Sequence, residues 1–183
     1  MRVRLETLTA GHPLRDQVLG LAPHPHQERF SSRASLTLPA ADADPGRTPF
    51  VVVTTDVGEP GDVGRAAGFG VLDRAGYLDE VLDDPRRAAL LLGFYIDADM
   101  QGRGIGTQAA RAVRGLAAGL DGVELVVLTV SVQNPAAVAT YRRAGFVDTG
   151  AQYLGGDEGP QHLLVAAVGG RDAGRPSRSA QTC

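Results

Sequence analysis

Residues 88 to 146 leave this chain little freedom of fold. "AALLLGFYID" is apolar at successive positions, so as a strand it must be covered on both faces. "VELVVLTVSV", from Val123 to Val132, makes the same demand. Between them Ile105, Ala109, Val113, Leu116 and Leu120 fall on one face at helical spacing, with Gln108, Arg111 and Arg114 opposite. "NPAAVATYRRAGF" then opens with an Asn cap and a Pro in the first helical turn, and Gly145 closes the helix. Two doubly covered strands with helices between and after them predict a mixed α/β domain around one sheet.

The flanking elements fit that reading. "VRLETL" predicts a short opening strand, and Thr9 caps a helix running to about Gly20, with a further short helix near Gln27. "PAADADPGRTP" reads as a loop by composition. "FVVVTTDV", the turn "GEPGDVGR" and "AAGFGVLDR" predict a hairpin over residues 50 to 74. An acidic connection, "AGYLDEVLDDPRR", leads to the strand at 88, and "HLLVAAV" is the last strand. The domain is expected to span residues 1–168. Residues 169–183, "GGRDAGRPSRSAQTC", lack apolar side chains and read as a disordered tail.

Composition excludes several function classes. A net charge of −3 gives no support to a nucleic-acid partner. All 18 basic residues are Arg, so neither a Lys nucleophile nor a phosphate-loop Lys exists. The single cysteine, Cys183, allows no intrachain disulfide and no Cys zinc cluster. His24 and His26 in "HPH" lack an evident third ligand, so no metal is expected. No stretch is apolar enough to span a membrane, and "MRVRLETLTAGHP" has no signal-peptide core. The expected setting is cytoplasmic and reducing.

The loop "QGRGIG" between the first buried strand and its helix carries the chemistry. A nucleotide P-loop needs Gly-Lys-Ser/Thr, and there is no Lys. Gly104-Ile-Gly106-Thr-Gln-Ala109 satisfies the dinucleotide pattern G-x-G-x-x-A, but the next strand ends "TVSVQN", without the acid that holds a ribose. The third reading is a concave anion site, made by the backbone N–H groups from Gly102 to Gly106 and the helix N-terminus behind them. Arg103 adds a positive charge. A glycine-rich turn that holds no ligand is the plain alternative. Asn134, Ala137 and Tyr141 form a second constellation, sharing one helical face. A phenol at 141 can protonate a leaving thiolate; it can equally be a half-buried core tyrosine.

Together the two stretches resemble the GNAT family of acetyl-CoA-dependent N-acetyltransferases. "FYIDADMQGRGIG" matches its signature strand and loop, with Gln101 opening Q-x-x-G-x-G. Asn134, Ala137, Tyr141, Gly145 and Phe146 match N-x-x-A-x-x-x-Y-x-x-x-G-F. The resemblance implies a central mixed, mostly antiparallel sheet flanked by helices, with a V-shaped splay between two parallel strands. It implies acetyl-CoA as cosubstrate and no metal. Phe94 and Ile96 would hold the thioester and pantetheine through their backbones. The amides of Gln101, Gly102, Arg103, Gly104, Ile105, Gly106 and Thr107 would hold the pyrophosphate. Asn134 would bond the pantetheine arm, Ala137 would keep that wall low, and Tyr141 would be the general acid. Arg142 or Arg143 is a candidate for the 3′-phosphate, or else part of a solvated face.

Family members that carry a Glu in the strand before the loop use it as base; "AALLLGFY" has none. Glu80 is taken as base or water-holder, among the candidates Asp79, Asp83, Asp84, Glu28 and Asp73. The acids of "YLDEVLDDP" would attract a cationic amine. "LAPHPHQERFSS" is similar to a segment of the polyamine (diamine, spermidine) branch, where a Gln followed by Phe lies after the first helix. The expected acceptor is therefore a small, polyamine-like primary amine. An antibiotic, an amino acid, a protein N-terminus, or a non-catalytic acyl-CoA-binding module are the alternatives. Dimerisation is common in the family, although nothing in the sequence itself shows a homodimer.

Overall fold

A computed structural model describes residues 1–55, 64–156 and 158–168. Seven strands form one sheet: β1 (Arg2–Thr7), β2 (Arg47–Thr55), β3 (Arg65–Asp73), β4 (Ala88–Ile96), β5 (Leu125–Ser131), β6 (Val147–Tyr153) and β7 (Gln161–Ala167). Their order across the sheet is β1-β2-β3-β4-β5-β7-β6. Neighbours are antiparallel throughout, except β4 and β5, which run parallel. The expected mixed, mostly antiparallel sheet is present.

Alternation along the strands shows why both faces must be covered. Phe50 and Val52 of β2 point into one core, shared with Ile105, Ala109 and Val113 of α4 (Ile105–Ala117) and Val138 and Tyr141 of α5 (Pro135–Arg143). Val51 and Val53 point into the other, against Val18 of α1 (Arg15–Gly20) and Leu38 of α2 (Ala34–Ala43). The central strands read as nearly continuous apolar runs because most of their positions are buried on one face of the sheet or the other.

β4 and β5 pair at only three positions, Ala88↔Leu125, Ala89↔Val126 and Leu90↔Val127, and then diverge. A bulge coincides with the divergence. Phe69 pairs with Tyr95 and Val71 with Leu92, so β4 carries one residue more than β3 across this span. Gly93 supplies the left-handed conformation, at φ 55°. The bulge turns β4 away from β5 and opens the expected V.

Four local expectations need correction. The segment at 39–49 is not a loop throughout: α2 continues through Pro39 to Ala43, and β2 begins at Arg47. Proline inside a helix costs about 3 kcal/mol. Full burial of Leu38 contributes roughly 2 kcal/mol in return, and Ala34 and Ala41 are buried beside it. Thr9 does not cap a helix; its carbonyl accepts from the His12 N–H in a turn, and α1 starts only at Arg15. The acidic connection holds a short helix, α3 (Leu78–Val81), because Leu78 is buried. β6 escapes the periodicity because it is a largely exposed edge strand interrupted by Gly150 at φ 80°. The turn expected at 58–65 lies mostly outside the described residues, and the tail from 169 lies wholly outside them.

Candidate active site

The glycine loop leaves a row of backbone donors open. Gly104 sits at the N-cap of α4 at φ 75° and brings no side chain to cap it. Among the described residues, none of the N–H groups from Gly102 to Thr107 has a hydrogen-bond acceptor. Converging donors at a helix N-terminus fit an anionic group such as a pyrophosphate. Buried Ile105 roots the helix start in the core.

Gln101 holds the loop in place. Its Nε2 donates to the Ile96 carbonyl at 2.9 Å and to Gln27 Oε1 at 2.8 Å, while Gln27 Nε2 donates back to Gln101 Oε1 at 3.1 Å. The side chain is thus a brace, and so is the Ile96 carbonyl that it engages.

α5 forms the far wall. Asn134 Oδ1 accepts from the Ala137 N–H at 3.1 Å, capping the helix, and Asn134 lines the cavity. Tyr141 stands two turns in, 6.2 Å from the Phe94 ring and 5.7 Å from Phe146. Its hydroxyl has no hydrogen-bond partner among the described residues, and burial pushes its pKa well above the usual phenol value.

The end away from the glycine loop is built from four separate segments. Tyr77 stacks on Tyr153, with centroids 4.8 Å apart. The Tyr77 hydroxyl and Thr129 Oγ1 lie 2.9 Å apart, and Tyr153 donates to Glu80 Oε2 at 3.0 Å. Burial and the Glu80 charge raise the Tyr77 pKa, and the Thr129 hydrogen bond partly offsets them. The wall opposite runs from Pro23 to Ser32. It is tied down where the Tyr95 hydroxyl accepts from the Ala34 N–H at 3.0 Å and donates to the Leu21 carbonyl at 3.2 Å. Ser31 Oγ in this wall is buried and has no partner among the described residues. Glu158, between β6 and β7, faces it.

These pieces surround one cavity of about 780 Å³, running from the glycine loop through the β4–β5 splay to the tyrosine pair. Phe94, Ile96, Gln101, Gly102, Gly104, Ile105, Gly106, Thr107, Asn134, Ala137 and Tyr141 all line it. Arg103 does not; it is exposed and donates to the Asp99 carbonyl at 3.2 Å. Arg143 lines the cavity, whereas Arg142 is taken by Asp148 at 2.8 Å.

The sequence-derived acids fall elsewhere. Glu80 is exposed, outside the lining, and reaches the site only through Tyr153. Asp73 is fully buried under Arg47, at 2.9 Å, and serves the fold. Glu28 pairs with Arg33, and Asp84 with Arg86. His24 and His26 stack at 5.7 Å, and no metal-binding group of three ligands occurs among the described residues. Sequence reasoning missed Glu158, Tyr153, Tyr77 and Thr129. An edge strand and a loop supply the first two without any motif. For Tyr77, an aromatic among acids was the only local signal.

The acetyltransferase (GNAT) family model matches residues 15–146. Among solved structures, the chain is similar to aminoglycoside acetyltransferase AAC(6')-Ib in complex with coenzyme A and kanamycin. Identity is 20%, the TM-score is 0.69, and 91% of this chain and 95% of that chain are covered. It is also similar to spermidine N-acetyltransferase from Vibrio cholerae in complex with CoA and spermine. There identity is 18%, the TM-score is 0.64, and the coverages are again 91% and 95%. No curated protein matches the sequence. Among the described residues no helix is long and apolar enough to cross a membrane. With the family model spanning most of the chain, and a splayed slot ending in a row of open amides, the chain belongs to the GNAT family and is an acetyl-CoA-dependent N-acetyltransferase.

Proposed function

We propose that the enzyme acetylates a primary amine of a small polycationic, polyamine-like substrate by direct attack on the thioester. The observation that carries this reading is the single cavity, which joins an anion-binding loop at one end to a carboxylate and two stacked tyrosines at the other. Acetyl-CoA supplies the activated acetyl group. The open amides from Gly102 to Thr107 hold its pyrophosphate, Asn134 and the Phe94 backbone hold the pantetheine arm, and Ala137 leaves room for it. Gln101 positions the loop through Ile96 and Gln27. Among the described lining residues Arg143 is the cation available to a terminal phosphate at this end.

Tyr141 gives its proton to the departing thiolate. Burial keeps the phenol protonated, and its hydroxyl has no partner among the described residues. Glu80 acts at one remove. The amine proton leaves through cavity water to Tyr153, as Tyr153 passes its own to Glu80 Oε2. Ser31 Oγ offers a partner to a second substrate N–H.

The test is CoA release over an amine panel of putrescine, spermidine, spermine, kanamycin, free amino acids and a peptide N-terminus. Turnover is expected with the polyamines. If kanamycin alone reacts, the acceptor class is aminoglycoside-like. If acetyl-CoA binds and no amine releases CoA, the protein is a binding module.

A further inference from the structure

The acceptor end of the cavity holds its own cation. Arg29 lies in the wall from Pro23 to Ser32, with its guanidinium carbon 4.5 Å from the centroid of the Phe30 ring. Its Nη1 reaches across to Glu158 Oε2 at 3.8 Å. The pair bridges two walls that are far apart in sequence, the N-terminal segment and the connection between β6 and β7.

Charge accounting makes this pair decisive. Among the described lining residues Glu158 is the one carboxylate, and Arg29 and Arg143 are the two cations. Arg143 belongs to the cofactor end: it follows Thr140, whose methyl lies 3.6 Å from where a Cβ on Gly106 would sit. Among the described lining residues a cationic substrate therefore finds one full negative charge, and Arg29 already uses it. The contact is loose and both side chains are well exposed, at 49% and 37%. Exposed ion pairs of this kind contribute little, so a competing cation can displace Arg29 at small cost. Once Arg29 swings out, an aromatic face and a carboxylate remain together, which suits an ammonium group.

We infer that Arg29 stands in for the distal ammonium of a polycationic substrate, and that Glu158 with Phe30 forms the subsite this ammonium takes when it displaces Arg29. This rests on the proposed polyamine acceptor. It makes Glu158 a specificity residue for the charge at the far end of the substrate, separate from the amine that reacts. Monoamines, which have no distal charge, gain nothing from the subsite.

The test is calorimetric binding of spermine and of butylamine to the CoA-saturated enzyme, with steady-state kinetics alongside. Glu158→Gln should weaken spermine by about threefold, and Arg29→Ala should tighten it by about twofold. The double variant should bind spermine as Glu158→Gln does, and butylamine and CoA should be unaffected in all three. Arg29→Gln repeats the charge removal with a longer side chain. The inference is overturned if removing Arg29 leaves spermine unchanged or weaker, or if Glu158→Gln lowers kcat without changing spermine affinity. Should spermine affinity shift as expected while no amine is acetylated, the catalytic reading fails and the subsite stands. Should polyamines be acetylated with an affinity indifferent to both residues, the subsite fails and the catalytic reading stands.

Discussion

The two ends of the cavity are built by different means. The proposed cofactor end is mostly backbone: amides at the start of α4 without a partner among the described residues, the edge of β4 past its bulge, and a helix capped by Asn134. The proposed acceptor end is mostly side chains, delivered by the segment 23–32, Tyr77, Thr129, Tyr153 and Glu158. A backbone site demands glycines and caps at fixed spacing, so it leaves a motif. A side-chain site can be assembled from any elements that converge, so it leaves none. This also explains how the family's shared chemistry can accompany different acceptors in similar folds.

The contrast can be attacked where the halves meet. Tyr141→Phe should have the largest effect, lowering kcat by about tenfold or more while acetyl-CoA affinity measured by calorimetry stays nearly unchanged. Because burial raises the phenol pKa, the acid form persists upward through the ordinary tyrosine range. The kcat–pH profile should therefore show no alkaline fall from Tyr141 there, since only deprotonation would remove the acid.

Gly104→Ala comes next. An added Cβ would meet nothing within 4 Å, so any damage comes from the backbone at φ 75°. The αL penalty of about 1–2 kcal/mol should lower the melting temperature and weaken acetyl-CoA by roughly fivefold. An unaltered affinity would mean that the amide row does not depend on this conformation.

Gln27→Ala tests whether the halves are independent. It removes both bonds to Gln101, at about 1 kcal/mol each, from a residue on the acceptor side. KM for acetyl-CoA and for the amine should rise together by about threefold. If only the amine KM moves, the brace does not couple the two ends. The smallest effect is expected for Arg103→Ala, whose side chain leaves the cavity for the Asp99 carbonyl. Acetyl-CoA KM should stay within about twofold, and a larger loss would return Arg103 to the phosphate site.

Much of the cofactor half was legible in the sequence. Gly102, Gly104 and Gly106, the Asn134 cap and the face shared by Asn134, Ala137 and Tyr141 are short-range patterns, and the cavity includes all of them. Arg103 is expected near the phosphates from its place in the loop, and its side chain donates to the Asp99 carbonyl without lining the cavity. The acceptor half was legible only in outline. Acidity around residue 80 is visible, yet Glu80 lies behind Tyr153, and among the described lining residues the carboxylate is Glu158, far along the chain.

By itself the sequence determined the doubly covered strands, the amphipathic helix behind a glycine loop, and the cap that starts α5. Each depends on residues a few positions apart and on the hydrophobic periodicity between them. The tertiary structure decided what those elements enclose. Pairing of β4 with β5 stops after Leu90, a bulge at Gly93 sends β4 aside, and Pro39 is carried inside a helix because Leu38 is buried. Gln27 meets Gln101, and Tyr153 meets Glu80, across more than 70 residues. Such meetings depend on sheet register and on the packing of whole elements, which no local stretch of sequence encodes.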